Sequence, residues 1–115
     1  MAKRIFQAVF ATLLLPLMAA APADERVEQC KKGEDLIEQT LDDPAARLRA
    51  WRTWEPQCRG TGLYELVLGR YLAQTGDREG AVKALQGGLL RESAYGEALR
   101  RALDALLAQG KKDGQ

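Results

Sequence analysis

The chain has 115 residues, 46% of them hydrophobic, with 17 lysines and arginines against 16 aspartates and glutamates and no histidine. One small domain is the natural count at this length. The even charge gives no support for nucleic-acid binding through a uniformly basic surface, and the lack of histidine removes imidazole catalysis, so no metal and no cofactor is expected.

Residues 1–23 read as a cleavable signal peptide. Lys3 and Arg4 make a short basic start, residues 5–17 are nearly all apolar, and Ala21-Pro22-Ala23 supplies the small residues a signal peptidase accepts. Cleavage after Ala21 would put Pro22 at the new terminus, a poor substrate position, so the cut is placed after Ala23. The other reading is an uncleaved membrane anchor. Its apolar run falls short of the roughly 20 residues of a spanning helix, and Pro16 interrupts it. No cysteine lies at the cut, which leaves a lipid-anchored form without support. Removing 23 of 115 residues leaves 92, with 15 basic against 16 acidic and a net charge of −1. The expected address is the periplasm or the outside of the cell.

A chain of this size buries only about two thirds of its unfolded surface, so a further constraint is useful. Cys30 and Cys58 are the only cysteines, and in an oxidising compartment an isolated pair most often forms a structural disulfide. A helix hairpin turning at Asp42-Asp43 brings them together at its open end. Closing that loop contributes about 3.5 kcal/mol by the chain-entropy model. A redox or metal pair is the alternative; no C-x-x-C spacing or histidine supports it.

In chain order, residues 24–41 form the first expected helix. Val27, Cys30, Ile37 and Leu41 trace its inner face, interrupted at Gly33-Glu34, while Glu28, Lys31, Lys32, Asp35 and Glu38 trace the wetter one. Asp43-Pro44 is a strong start signal for the second helix, the aspartate capping and the proline at the first helical position. There Leu48, Trp51, Glu55 and Cys58 share a face, flanked by Ala50 and Trp54. Pro56 should end the helix near Trp54 or loosen its last turn. Trp51 reads as core, and Trp54 as the more open contact residue. Arg59-Gly60-Thr61-Gly62 is a connector, with Thr61 as a cap.

The central stretch, 62–93, reads as two short helices. Leu63, Leu66, Val67 and Tyr71 recur at helical spacing, with Leu68 and Leu72 widening the stripe. Gly76 stands where a helix ends in a left-handed residue, and Asp77 follows as the next N-cap. Ala81, Val82, Leu85 and Leu89 make the second stripe. Gly69, Ala81 and Gly88 fall where two antiparallel helices would cross closely. A fifth helix spans 95–109, capped by Ser93, with Tyr95, Leu99, Ala102, Leu103 and Leu106 inward and Gly110 as its stop. Residues 111–115 read as a frayed polar tail. No strand-like alternation occurs. The expectation is an all-α domain over 24–110, about five helices in stacked antiparallel hairpins.

Catalytic chemistry finds little purchase. Asp42-Asp43, Glu34-Asp35 and Glu25 with Glu28 are paired carboxylates, but each fits an exposed face or a turn. Neither a Gly-rich phosphate loop nor a G-x-S-x-G nucleophile motif is present. The chain does not read as an enzyme.

The residues Leu68-Gly69, Gly76-Asp77, Ala81, Leu85 and Gly88 resemble a tetratricopeptide repeat, a helical hairpin of about 34 residues. The likeness covers one unit, roughly 62–95, with the helix beyond it as the first half of another. Glu65, Leu72 and Ser93 depart from the family's usual aromatic, tyrosine and proline. Residues 24–58 match poorly and read as a divergent unit or a cap. The resemblance implies a groove lined by the first helices of successive units, here Leu63, Leu66, Val67, Arg70, Ala73 and Gln74, then Glu97, Arg100, Arg101 and Asp104. It also implies that Arg70, Arg100 and Arg101 could hold an acidic peptide or a free C-terminus, because arginine forks suit carboxylates; Gln74 and Trp54 are the further contacts. The alternative is three surface arginines paired to Glu65, Glu97 and Asp104. The function so implied is a secreted scaffold that binds a protein or peptide, or a second copy of itself. It involves no nucleic acid and no stable membrane insertion once the leader is removed. A helical protein lying on a membrane surface and a thiol redox protein are the rivals.

Overall fold

The computed structural model describes residues 23–91 and 93–113. The leader expected at 1–23 therefore lies outside the described residues, apart from Ala23, where the first helix begins. Six helices occur in order among the described residues: α1 Ala23–Thr40, α2 Pro44–Arg52, α3 Glu55–Cys58, α4 Leu63–Gln74, α5 Arg78–Leu89 and α6 Gly96–Asp113. No strand occurs among the described residues, so the all-α expectation holds.

The hairpin of α1 and α2 turns where the sequence indicated. The Asp43 carboxylate accepts the Ala46 amide at 3.1 Å, and Pro44 opens α2. The second helix then breaks earlier than its stripe suggested. Thr53 and Trp54 make short i→i−3 bonds to Ala50 and Trp51, and the chain restarts as the single turn α3 with Pro56 in its first turn. Trp51 is fully buried, whereas Glu55, expected on the same face, is exposed. Proline's clash with the preceding backbone accounts for the break.

Two arginines finish helices they do not belong to. Arg47 of α2 donates Nε to the Leu41 carbonyl at 2.6 Å and Nη2 to the Glu38 carbonyl at 3.4 Å, at the end of α1. Arg26 of α1 donates to the carbonyls of Gln57 and Arg59 at 3.2 and 3.0 Å, at the end of α3. Each satisfies carbonyls that have no partner within their own helix. The disulfide between Cys30 and Cys58 joins the same two elements, with Cα atoms 5.6 Å apart and both residues fully buried.

Helix α4 is the axis of the described residues, packing against the five other helices among them. Leu63, Tyr64, Val67, Gly69, Tyr71 and Leu72 are buried on it, a wider belt than one amphipathic stripe. Its entry is held by an acid: Glu65 offers Oε1 to the Gly62 amide at 3.0 Å and Oε2 to the Gly60 amide at 3.1 Å. Thr61 acts as the expected cap, its hydroxyl accepting the Tyr64 amide at 3.2 Å. The exit is a Schellman turn. Gly76 has φ +91°, its amide reaches the Ala73 carbonyl, and the Asp77 amide reaches Leu72. Asp77 then caps α5 through the Gly80 amide at 2.8 Å.

Close approach explains the small residues of the α4–α5 pair. A Cβ on Gly69 would stand 2.7 Å from the Leu85 side chain and 3.4 Å from the Ala81 carbonyl oxygen. One on Gly88 would meet the Glu65 Cβ at 2.8 Å and Leu99 at 2.9 Å. Gly88 thus marks the point where α4, α5 and α6 converge. Two cores result. One gathers Cys30, Ile37, Trp51, Cys58, Leu63, Tyr64, Val67 and Tyr71, and the other gathers Leu85, Leu99 and Leu103; Tyr95 touches both.

The end of the chain differs from expectation. Ser93 accepts the Tyr95 amide at 3.2 Å, which makes it the hinge of a turn before α6. Gly110 does not stop the helix, which continues to Asp113. Gly110 lies against the Arg78 guanidinium, 3.4 Å from where its Cβ would be. A glycine ends a helix when the backbone turns left-handed there, and Gly110 does not.

Candidate functional site: the cleft between α4 and α6

Helices α4 and α6 both pack on α5 and flank a cleft of about 330 Å³. Its walls are Leu66, Gly69 and Ala73 from α4, Leu85 from α5, and Ala102, Ala105 and Leu106 from α6; Arg70, Gln74 and Gln109 add polar groups. A second hollow of about 320 Å³ shares Ala73, Leu106 and Gln109 and runs on to Gly76 and Arg78. The walls are low because α4 and α6 present alanine and glycine here, so the space comes from missing side chains rather than from a gap between helices.

Of the expected groove residues on α4, Leu66, Arg70, Ala73 and Gln74 line this cleft. Leu63 and Val67 do not; both are buried in the core beneath it. On α6 other residues than the expected ones line it. Glu97, Arg100, Arg101 and Asp104 are all exposed, and Ala102, Ala105, Leu106 and Gln109 take the cleft side instead. Leu99 and Leu103 point into the core and fix the rotation of α6 about its axis, which carries Arg100 and Arg101 away from the opening. Arg101 pairs with Glu97 one turn back at 3.3 Å, as the surface alternative anticipated. Of the three arginines, Arg70 lines the cleft and Arg100 and Arg101 do not.

Arg70 is already held. Its Nη2 lies 2.9 Å from Glu34 Oε1 and 2.9 Å from Glu38 Oε1, both on α1. Glu38 in turn accepts the Tyr71 hydroxyl at 2.7 Å and, through Oε2, pairs with Arg47 at 3.1 Å. Two guanidinium cations and two carboxylates close into a neutral network joining α1, α2 and α4. Burial works against the charge of Arg70, and the hydrogen bonds of Glu34 and Tyr71 outweigh it, so the guanidinium is held above its ordinary range. Tyr71 is fully buried, and burial with the Glu38 hydrogen bond pushes its hydroxyl up to about 12. The sequence placed Glu38 on a wet face; the signal it carried was its i,i+4 spacing from Glu34, which puts two carboxylates side by side.

Trp54 is partly exposed where Trp51 is fully buried, so it is the more open of the two tryptophans; its indole lies on Gly33 of α1 and packs on the core of the disulfide-linked hairpin, and it does not line the cleft. Its place explains the interruption at Gly33-Glu34, since only a residue without a side chain leaves room for the ring.

On another face, Glu55, Arg59, Tyr64, Glu65, Lys83 and Arg91 edge a basin of about 290 Å³ with mixed charge. Arg59 pairs with Glu55 and Lys83 with Glu79, each through an exposed i,i+4 bridge, and such pairs contribute little. Among the described residues, no cluster of acids and cysteines is arranged to hold a metal ion, and no helix is long and apolar enough to cross a membrane. No family model, curated protein or solved structure matches the chain.

Proposed function

We propose that this is a secreted, periplasmic-type scaffold whose α4–α6 cleft receives a peptide segment of another protein. The observation that carries the reading is the cleft itself: apolar walls of Leu66, Leu85, Ala102 and Leu106, with Gln74 and Gln109 able to donate to and accept from a peptide backbone. The close packing of Gly69 on Leu85 and of Gly88 on Leu99 supports the tetratricopeptide likeness of residues 62–95. The disulfide supports an oxidising compartment. Binding is passive. The cleft is formed by helices fixed from behind by α5, so little ordering entropy is lost when a segment enters.

The test is site-specific photocrosslinking in intact cells, with the reactive group placed at Gln74 or Gln109 and, as a control, at Arg100 on the exposed face. Adducts of defined mass are expected from the two cleft positions and not from Arg100, and Leu106→Asp should suppress them. Equal labelling from all three positions, or none from the cleft, would overturn the reading. N-terminal sequencing of the exported protein checks the leader, with a new terminus expected at Asp24.

A further inference from the structure

Resting on that reading, we infer that Glu34 and Glu38 of α1 set the charge class of the occupant. By neutralising Arg70 at the edge of the cleft, they make it select an uncharged, apolar peptide segment and reject an acidic one.

Among the described residues, Arg70 is the only charged one lining the cleft itself. Left alone, a half-exposed guanidinium beside apolar walls would draw carboxylates, since it offers a planar fork matched to them. It is not left alone. A single nitrogen, Nη2, receives both Glu34 and Glu38 at 2.9 Å. An acidic residue arriving from the cleft meets a cation whose charge is already cancelled, with two like charges close behind it. At separations this short, repulsion from the carboxylates offsets most of the attraction to the guanidinium. Arg47 balances the second carboxylate, so the network as a whole is neutral and has no use for another anion. What remains to select an occupant is the apolar wall and the amides of Gln74 and Gln109. Those suit an uncharged segment that buries one or two apolar side chains and leaves its backbone to the amides.

Glu34 is the sharper determinant of the two. It is more deeply placed than Glu38, with 16% of its side chain exposed against 34%, and among the described residues it pairs with Arg70 alone. Glu38 also anchors Tyr71 and Arg47, so changing it disturbs the joint between α1, α2 and α4. Glu34→Gln keeps the shape and one acceptor while uncovering the positive charge of Arg70.

The experiment is selection from a phage-displayed library of random seven-residue peptides against the full mature chain, comparing wild type, Glu34→Gln and the double variant Glu34→Gln/Arg70→Gln. Circular dichroism establishes that all three are folded. Wild type is expected to enrich uncharged apolar peptides that Leu106→Asp no longer retains. Glu34→Gln should enrich aspartate- and glutamate-containing peptides several-fold over wild type, and Arg70→Gln in the same chain should abolish that shift. Enrichment in both proteins with the same charge distribution, or acidic peptides already enriched by wild type, overturns the inference and leaves the cleft reading standing. No enrichment dependent on Leu106 in any of the proteins overturns the cleft reading and the inference with it.

Discussion

Gly33 of α1 lies directly beneath the indole of Trp54: a Cβ at Gly33 would fall 2.8 Å from Trp54 Cδ2 and Cε2. The relationship fixes how the disulfide-linked hairpin closes, because α1 also carries Cys30 and the segment after Trp54 ends at Cys58. A glycine in mid-helix is unfavourable by about 1 kcal/mol relative to alanine, so its presence calls for a reason, and the ring is that reason.

Gly33→Ala is therefore expected to destabilise despite its better helix propensity. The overpacking of a rigid ring costs about 1–3 kcal/mol, which exceeds the propensity gain. Gly87→Ala is the matched control, since nothing lies within 4 Å of its added Cβ inside α5. It should stabilise by up to about 1 kcal/mol. Urea denaturation of the two variants decides the matter. Equal stabilisation by both would mean that Trp54 moves aside without penalty.

Tyr71 makes stability fall in alkali. Its hydroxyl titrates at about 12 in the folded chain against an ordinary 10.0, because burial and the hydrogen bond to Glu38 both oppose ionisation. The folded state thus binds this proton more tightly than the unfolded state. The stabilisation is complete below pH 10 and is lost as pH rises towards 12. The whole shift corresponds to about 2–3 kcal/mol. Tyr64 is raised in the same direction, chiefly by burial, and adds to the slope. Thermal melts of wild type and Tyr71→Phe at pH 8, 10 and 11 should show the variant less stable at pH 8 and losing less on the way to pH 11. Parallel decline in both proteins would remove Tyr71 as the cause.

Glu65 is the buried acid that begins α4, with 8% of its surface exposed and both oxygens accepting backbone amides. Glu65→Gln keeps one acceptor and brings a donor towards amides that are themselves donors. The expected loss is about 1–3 kcal/mol, the range for an unsatisfied buried group. A guanidinium midpoint lowered with the slope unchanged would confirm a loss of native stability. An unchanged midpoint would show that water replaces the carboxylate at Gly60.

How much of this was legible beforehand varies with the kind of interaction. Local signals were read well: the Asp43 and Asp77 caps, the left-handed Gly76 and the break around Pro56 each act within a few residues, so the chain states them directly. The expected stop at Gly110 does not occur, for the same reason turned round. A glycine permits a helix end, and here nothing in the following residues imposes one; α6 runs on with Gly110 against Arg78. Glu65 departed from the resembled pattern and gave no hint that its carboxylate would cap its own helix.

By itself, the sequence determined that the chain is helical, where most helices begin and end, which apolar stripe most helices bury, and that Cys30 can meet Cys58. These follow from periodicity and capping, which are properties of a helix taken alone. Only the tertiary structure decided what each face meets. It turned Ala102 and Gln109 rather than Arg100 and Arg101 towards the cleft, seated Trp54 on Gly33, and bound Arg70 to Glu34 and Glu38, which lie 36 and 32 residues earlier. A helical period leaves a helix free to rotate by a fraction of a turn and leaves its partners unnamed. Packing against two cores at once removes that freedom, and the placement of every charge follows from it.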